Sequence, residues 1–328
     1  MNIKSERSIK IGLIITPVED RDGTATPRWK QILSVAKMAE EVGFDSIWIS
    51  DHLIHRFSNE ADYGIWECWS LVSALAACTT RVQIGTWVLC SGFRNPALFA
   101  KMADTVDEIS GGRLIVGIGS GWHKPEYDAF GFPFENRVSR FEEAITIIHG
   151  LLRSGHIDFD GRFYRARDCE LRPRGPRVKG APIMIGTIGG TPLGEKWGIV
   201  GNSSKMLEIT ARYADIWNCP WINDPAVIPP IREMVDRACL SAGRAPSTLL
   251  RSNGVMLSLP GWEKQPGIRV MRTGRAAMGA VDATPEEHAH FLRRFAANGV
   301  HEVHISLDPE TPDALEKFSR TIELLDEQ

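Results

Sequence analysis

The chain alternates between short apolar runs and longer stretches in which apolar residues return every three or four positions. Ile9 to Ile15 is one such run, and after the loop Thr16 to Thr26 the residues Trp29, Ile32, Val35, Ala36, Ala39 and Val42 recur at helical spacing as far as Gly43. FDSIWIS supplies a second strand, Ser46 to Ser50, and Trp66, Trp69, Val72, Ser73 and Ala76 sketch a second helix. Val82 to Val88 reads as strand three. A helix starting at Pro96 places Phe99, Met102, Val106 and Ile109 inward, and Leu114 to Ile118 is strand four. A period near 3.6 puts side chains on one helix face, whereas an unbroken run of four to eight apolar residues suits a strand buried on both sides.

After the helix Asn136 to Leu152 the rhythm breaks. HIDFDGRFYRARDCEL alternates like a hairpin about Asp160-Gly161, and RPRGPRVKG is a turn-rich connection. Strands then follow at Pro182 to Gly186, Asp215 to Asn218, Leu249 to Leu257 and Val300 to Ile305. Helices follow at Ser203 to Ala214, Ile228 to Leu240, Glu286 to Ala297 and Thr311 to Leu325. Residues 262 to 278 have no clear period and read as an irregular insertion. Eight strand-helix repeats with near-continuously apolar strands predict an α/β fold, a (β/α)8 TIM barrel with insertions after strands 4, 5 and 7, in one domain over 1–328. An open doubly wound sheet is the runner-up, and it lacks its glycine fingerprint.

Composition narrows the function classes. With 328 residues and 43% hydrophobic content the chain can bury a large core. A formal net charge of −3 without a dense basic tract argues against a nucleic-acid partner. MNIKSERSIK has no apolar leader core and no run reaches membrane-spanning length, so no membrane and a cytoplasmic location are expected. The six Cys form no CxxC pair and read as reduced thiols, mostly buried.

The densest chemistry lies between Gly111 and Phe141. Strand four ends in Gly117-x-Gly119-x-Gly121, and the loop beyond it carries Trp122, His123, Lys124, Glu126, Tyr127 and Asp128. Position 122 is Trp, so there is no dinucleotide fingerprint, and there is no P-loop either. The glycines read either as a wall facing a ligand or as a close-packed strand end. On a barrel the site is the rim at the strands' C-terminal ends. That rim gathers Asp51-His52 after strand two, Trp87 near the end of strand three, Gly119 to His123 after strand four, and Gly186 to Gly190 after strand five. Glycines of the last stretch can offer amides to a phosphate. The His52 imidazole suits proton transfer, and Asp51 is a candidate to orient it. His149, on the outer part of a helix, is expected to take no part. No HExxH or GxSxG motif points to a metal or a serine nucleophile.

In GFDSIWISDHL (43–53), RVQIGTWVLCSGFRNPALFAKMADTVDEISGGRLIVGIGSGWHKPEYDAFGFPF (81–134), RFEEAI (140–145), PIMIG (182–186) and ARYADIWN (211–218) the chain resembles the bacterial luciferase-like family of flavin-dependent oxidoreductases. Some members of that family use the deazaflavin F420. The resemblance covers nearly the whole chain. It implies FMN or coenzyme F420 at the barrel rim, and either monooxygenation or hydride transfer on a small organic substrate, with a non-catalytic flavin-binding or structural barrel as the alternative of another class. His52, with Asp51, would be catalytic. Trp87, Val88, Gly119, Trp122, His123, Gly186, Thr187, Gly189 and Gly190 would hold the cofactor, with a non-prolyl cis peptide around Trp87-Val88 and the phosphate at Gly186 to Gly190. The stretch GTIGGTPLGEKWGIVGNSS departs from the family's usual glycine run there. The loop 262–278 would shape the substrate cavity. A flavin reductase or F420-reducing enzyme as partner, and a homodimer, are further implications of the likeness.

Overall fold

The computed structural model describes residues 7–19, 25–56, 62–187, 203–260 and 281–327. Strand β1 (Lys10–Ile15) is buried from Ile11 onward, as an uninterrupted apolar run requires. The other barrel strands are β2 (Ser46–Ile49), β3 (Gln83–Thr86), β4 (Leu114–Gly119), β5 (Ile183–Gly186), β6 (Ile216–Cys219), β7 (Leu250–Ser258) and β8 (Glu302–Asp308). Each pairs in parallel with the next, from β1–β2 (Gly12 opposite Ser46) through β4–β5 (Met184 opposite Gly117) to β7–β8. Strand β8 then returns to β1, with Lys10 opposite Glu302, and the ring closes. The protein is an eight-stranded parallel barrel surrounded by helices.

Helices α1 (Trp29–Val42), α2 (Cys68–Cys78), α3 (Pro96–Ser110), α4 (Lys124–Phe130), α5 (Arg137–Ser154), α6 (Ser203–Tyr213), α7 (Ile228–Ser241), α8 (Pro285–Ala297) and α9 (Pro312–Asp326) accompany the strands. Their ends follow local chemistry. Asn95 caps α3 by accepting from the amides of Ala97 and Leu98, ahead of Pro96. Thr284 and Glu287 form a reciprocal capping box on α8.

The main core lies between the strands' outer faces and the helices, and includes Leu13, Ile47, Phe99, Ile148 and Phe318. A second apolar cluster fills the barrel with Ile14, Trp48, Trp87, Ile115, Met184 and Ile216. Trp48 fits there because Gly12 and Gly85 carry no side chain: a Cβ at Gly12 would sit 2.5 Å from its Nε1, and one at Gly85 would strike its ring. Gly254 makes the same room for Trp87, whose Cζ2 would lie 2.5 Å from an added Cβ. The barrel is therefore plugged, and a ligand meets it at the mouth.

Several expectations need correction. Helix α2 starts at Cys68, and Trp66 lies ahead of it, exposed, its indole donating to the Pro27 carbonyl at 2.7 Å. Trp29 and Ile109 face solvent rather than the core. The connection after β4 is not merely a loop but holds helix α4, which Pro125 starts and Gly131 (φ 75°) ends. The segment after β2 contains a small ladder, Ile54–His55 against Tyr63–Gly64. The hairpin after α5 is present as His156–Asp160 against Arg165–Glu170. The stretches 188–202 and 262–278 lie outside the described residues. Cys68, Cys90, Cys219 and Cys239 are buried free thiols. No helix among the described residues is long and apolar enough to cross a membrane.

Candidate active site

Residues 50–56 leave the C-terminal end of β2, and there Asp51 and His52 turn to different partners. The Asp51 carboxylate, fully buried, accepts from the Cys90 amide (2.7 Å) and from both Arg94 guanidinium nitrogens (2.8 and 3.0 Å). Burial alone would lower the Arg94 pKa, but Asp51 and Glu67 outweigh it and hold the guanidinium above its ordinary range. Asp51 thus ties the end of β2 to the turn after β3. It does not orient His52, because its accepting oxygens are taken up by Cys90 and Arg94.

Glu126, in the first turn of α4, takes that place instead. Its Oε2 lies 2.9 Å from His52 Nδ1, and its Oε1 accepts from the amides of Leu53 (2.5 Å) and Ile54 (3.2 Å). The carboxylate is 2% exposed and the imidazole 18%. Burial works to raise the Glu126 pKa, but the His52 hydrogen bond and charge and the two amides prevail and hold it below the ordinary carboxylate value. In the sequence Glu126 stands as one polar residue among several in the loop after strand four. The spacing Lys-Pro-Glu before Gly131 was the signal for the short helix that aims it.

Other rings crowd His52. His55 lies 4.5 Å away by ring centroids, Trp122 is edge-on at 5.9 Å, and His123 stands at 6.4 Å. Burial, reinforced by His52 and His123, pushes His55 down to about 2, so it stays neutral. Burial also lowers His123, whose Nε2 accepts from the Arg56 amide at 3.3 Å. His123 is buried, whereas Trp122 keeps 42% of its surface open at the rim. Among the described residues no group of three His, Cys, Asp or Glu is placed to hold a metal ion.

The residues just past β3 supply an apolar wall. The Trp87–Val88 peptide is cis, as the family likeness implied. The Trp87 ring packs edge-on against Trp221 at 4.6 Å and donates its N–H to His304 Nδ1 at 2.8 Å. Asn218 donates to the same nitrogen (3.2 Å), so the neutral His304 proton sits on Nε2, 3.6 Å from the Glu302 carboxylate. Val88 lies over two glycines: a Cβ on Gly119 would be 3.2 Å from its Cγ2 and one on Gly186 3.0 Å.

Gly117, on β4, and Gly121, two residues beyond its end, both sit in tight quarters. A Cβ on Gly117 would strike the Thr86 carbonyl, and one on Gly121 (φ 72°) the Tyr127 hydroxyl and Cys90 Sγ, so both serve close packing. Burial pushes the Cys90 thiol up to about 12, which leaves it unreactive. After β5 the Thr187 amide donates to the Asn218 carbonyl at 3.1 Å. Gly189 and Gly190 lie outside the described residues. His149, on α5, is half-buried and edge-on to Tyr213 at 5.3 Å.

The family model of the luciferase-like monooxygenases matches residues 9–259. The chain belongs to that family. An F420-dependent glucose-6-phosphate dehydrogenase of Amycolatopsis mediterranei is 34% identical over 191 residues, 55% of this luciferase-like chain and 55% of that protein. The luciferase-like chain thus spans about half the length of that curated relative. Its barrel superposes on an F420-dependent secondary alcohol dehydrogenase holding an F420-acetone adduct, with a TM-score of 0.74 and 18% identity, covering 97% of this chain and 99% of that one. A riboflavin lyase with modified FMN and riboflavin gives the same TM-score at 13% identity, covering 96% and 91%. At those identities the two structures speak for the fold.

Proposed function

We propose that the chain is a flavin-type oxidoreductase that uses FMN or coenzyme F420 on a small organic substrate. The observation that carries the reading is the His52 imidazole, held by the buried Glu126 carboxylate beside an aromatic mouth. A flat tricyclic ring needs an apolar wall for one face and a proton-exchanging group near its edge. Trp87, Val88 and Trp221 supply the first, and His52 the second. The Asp51–Cys90 hydrogen bond fastens the start of the His52 loop to the turn that carries Trp87 and Val88. When bound, the cofactor supplies two-electron chemistry, as hydride transfer for F420 or oxygen activation for FMN. The chain's own work is to exclude water with Trp87, Trp122 and Trp221, to fix the ring face with Val88, and to exchange a proton at His52 Nε2. A separate reductase would supply the reduced cofactor. The relative named as an F420-dependent dehydrogenase, alike over 55% of the chain, favours the hydride branch.

Titration of the purified protein with FMN and with F420, followed by absorbance and fluorescence, tests the reading. Saturable one-to-one binding of one of them is expected, and binding of neither removes the proposal. With the bound cofactor, His52→Ala is expected to slow the single-turnover step by at least about 100-fold while the fold and most cofactor affinity remain. A wild-type single-turnover rate would take His52 out of the mechanism.

A further inference from the structure

Glu126 is placed as a designed counterpart to one imidazole rather than as a general structural carboxylate. Its two oxygens divide their work. Oε1 is fixed by two consecutive amides, Leu53 and Ile54, which sets the carboxylate against the turn that presents His52. Oε2 is given to His52 Nδ1. An ionised carboxylate only accepts hydrogen bonds, so the nitrogen facing it must carry the proton. The neutral ring therefore has its lone pair on Nε2, and the protonated ring has a buried counter-ion 2.9 Å away.

We propose that Glu126 is the positioning residue of this site: it fixes His52 as the Nδ1–H tautomer, leaves Nε2 as the atom that exchanges protons, and sets the pH at which that exchange occurs. The role attached to Nε2 rests on the function proposed above, whereas the tautomer and its pH response do not. Among the described residues, the titratable groups facing His52 come from three neighbouring segments. Glu126 comes from α4, His123 from the residue that precedes α4, and His55 from the two-residue strand after β2. His55 and His123 are neutral at pH 7 and bring no lasting charge. Asp51, the adjacent acid, is bound to Arg94. Among these groups Glu126 is the one anion in contact with the ring, so its removal should act on His52 directly.

The first measurement needs no cofactor. Imidazole NMR of the apo-protein, with His52 signals assigned by their loss in His52→Ala, follows the titration in wild type and in Glu126→Gln. An opposite charge this close favours the protonated ring, so the His52 midpoint is expected to fall in Glu126→Gln. An unchanged midpoint overturns the proposal. The wild-type ring nitrogens give a test that requires no variant: ¹⁵N shifts should show the neutral ring protonated at Nδ1, and an Nε2–H tautomer overturns it. In the cofactor-loaded protein the pH profile of the single turnover should move with the NMR midpoint. KM for substrate should stay near wild type, and Glu126→Asp should restore part of the midpoint because it keeps the charge. A uniform loss of rate at every pH with an unmoved profile would mean Glu126 only braces the loop, and would refute the assignment. If neither FMN nor F420 binds while the NMR midpoint still shifts, the proposed function fails and the pairing stands.

Discussion

Replacing Asp51 by Asn separates the two roles that adjacency to His52 suggests. The side chain keeps its size but loses its charge, and an amide N–H₂ is forced against the Cys90 amide or the Arg94 guanidinium. Breaking one side of a buried ion pair costs about 3–5 kcal/mol, because the remaining charge is left poorly solvated. Here Arg94 retains Glu67 at 2.5 Å, and Glu67 is 40% exposed, so the loss falls at the lower end, about 3 kcal/mol. Unfolding entropy of about 2.1 cal/mol/K per residue over the 328-residue chain gives about 0.7 kcal/mol/K, and a melting temperature lower by about 4 °C. The Glu126–His52 pair is untouched, so the single-turnover rate with saturating cofactor should stay close to wild type. Calorimetry and stopped-flow on the same preparation supply both numbers. A variant with unchanged melting temperature and a 100-fold slower turnover would show that Asp51 acts on the reaction, and would refute the division of labour read from the hydrogen bonds.

Stability should also depend on pH through His55, whose pKa lies at about 2 in the folded protein against an ordinary 6.5. Below pH 6.5 the unfolded chain takes up a proton that the native one refuses, so stability falls as pH drops, by about 1.4 kcal/mol per pH unit from this residue alone. Denaturant melts at pH 5 and 7 should show a shallower dependence in His55→Gln, and an identical dependence in both proteins would contradict a neutral buried His55. Gly121→Ala must accept φ 72° and overlap Tyr127 and Cys90, for a loss of about 2–5 kcal/mol. Gly111→Ala, at φ 65° with nothing within 4 Å, should lose about 1–2 kcal/mol. Equal losses in urea melts would mean that the packing around Gly121 contributes nothing.

The eight strands were legible because a parallel barrel buries both faces of each strand and leaves unbroken apolar runs such as Ile11–Ile15 and Leu114–Ile118. Helix faces were legible where the period was full, and failed at the margins, where Trp29, Trp66 and Ile109 continue the spacing into solvent. Single large apolar residues on a surface violate no physical rule, so periodicity alone does not expose them. The site was legible as a place and less so as a set of partners. Strand ends on a barrel rim locate Asp51, His52, Trp87 and Trp122 by topology alone. Which carboxylate meets the imidazole is instead decided by a residue 74 positions further along the chain. The adjacent acid is the economical expectation, and the Cys90 amide and Arg94 guanidinium defeat it by drawing Asp51 to themselves. Asp51 faces the neighbouring turn and its arginine, whereas the space beside His52 is filled from α4, a seven-residue helix too short to show a period but bracketed by Pro125 and Gly131. The same reasoning applies inside the barrel. His304 and Glu302 are two apart on β8 and so share a face, which brings a buried carboxylate beneath the Trp87 indole through His304. Their spacing was visible in the chain, but its use depends on Gly254 opposite, whose missing side chain lets Trp87 lie deep enough to reach.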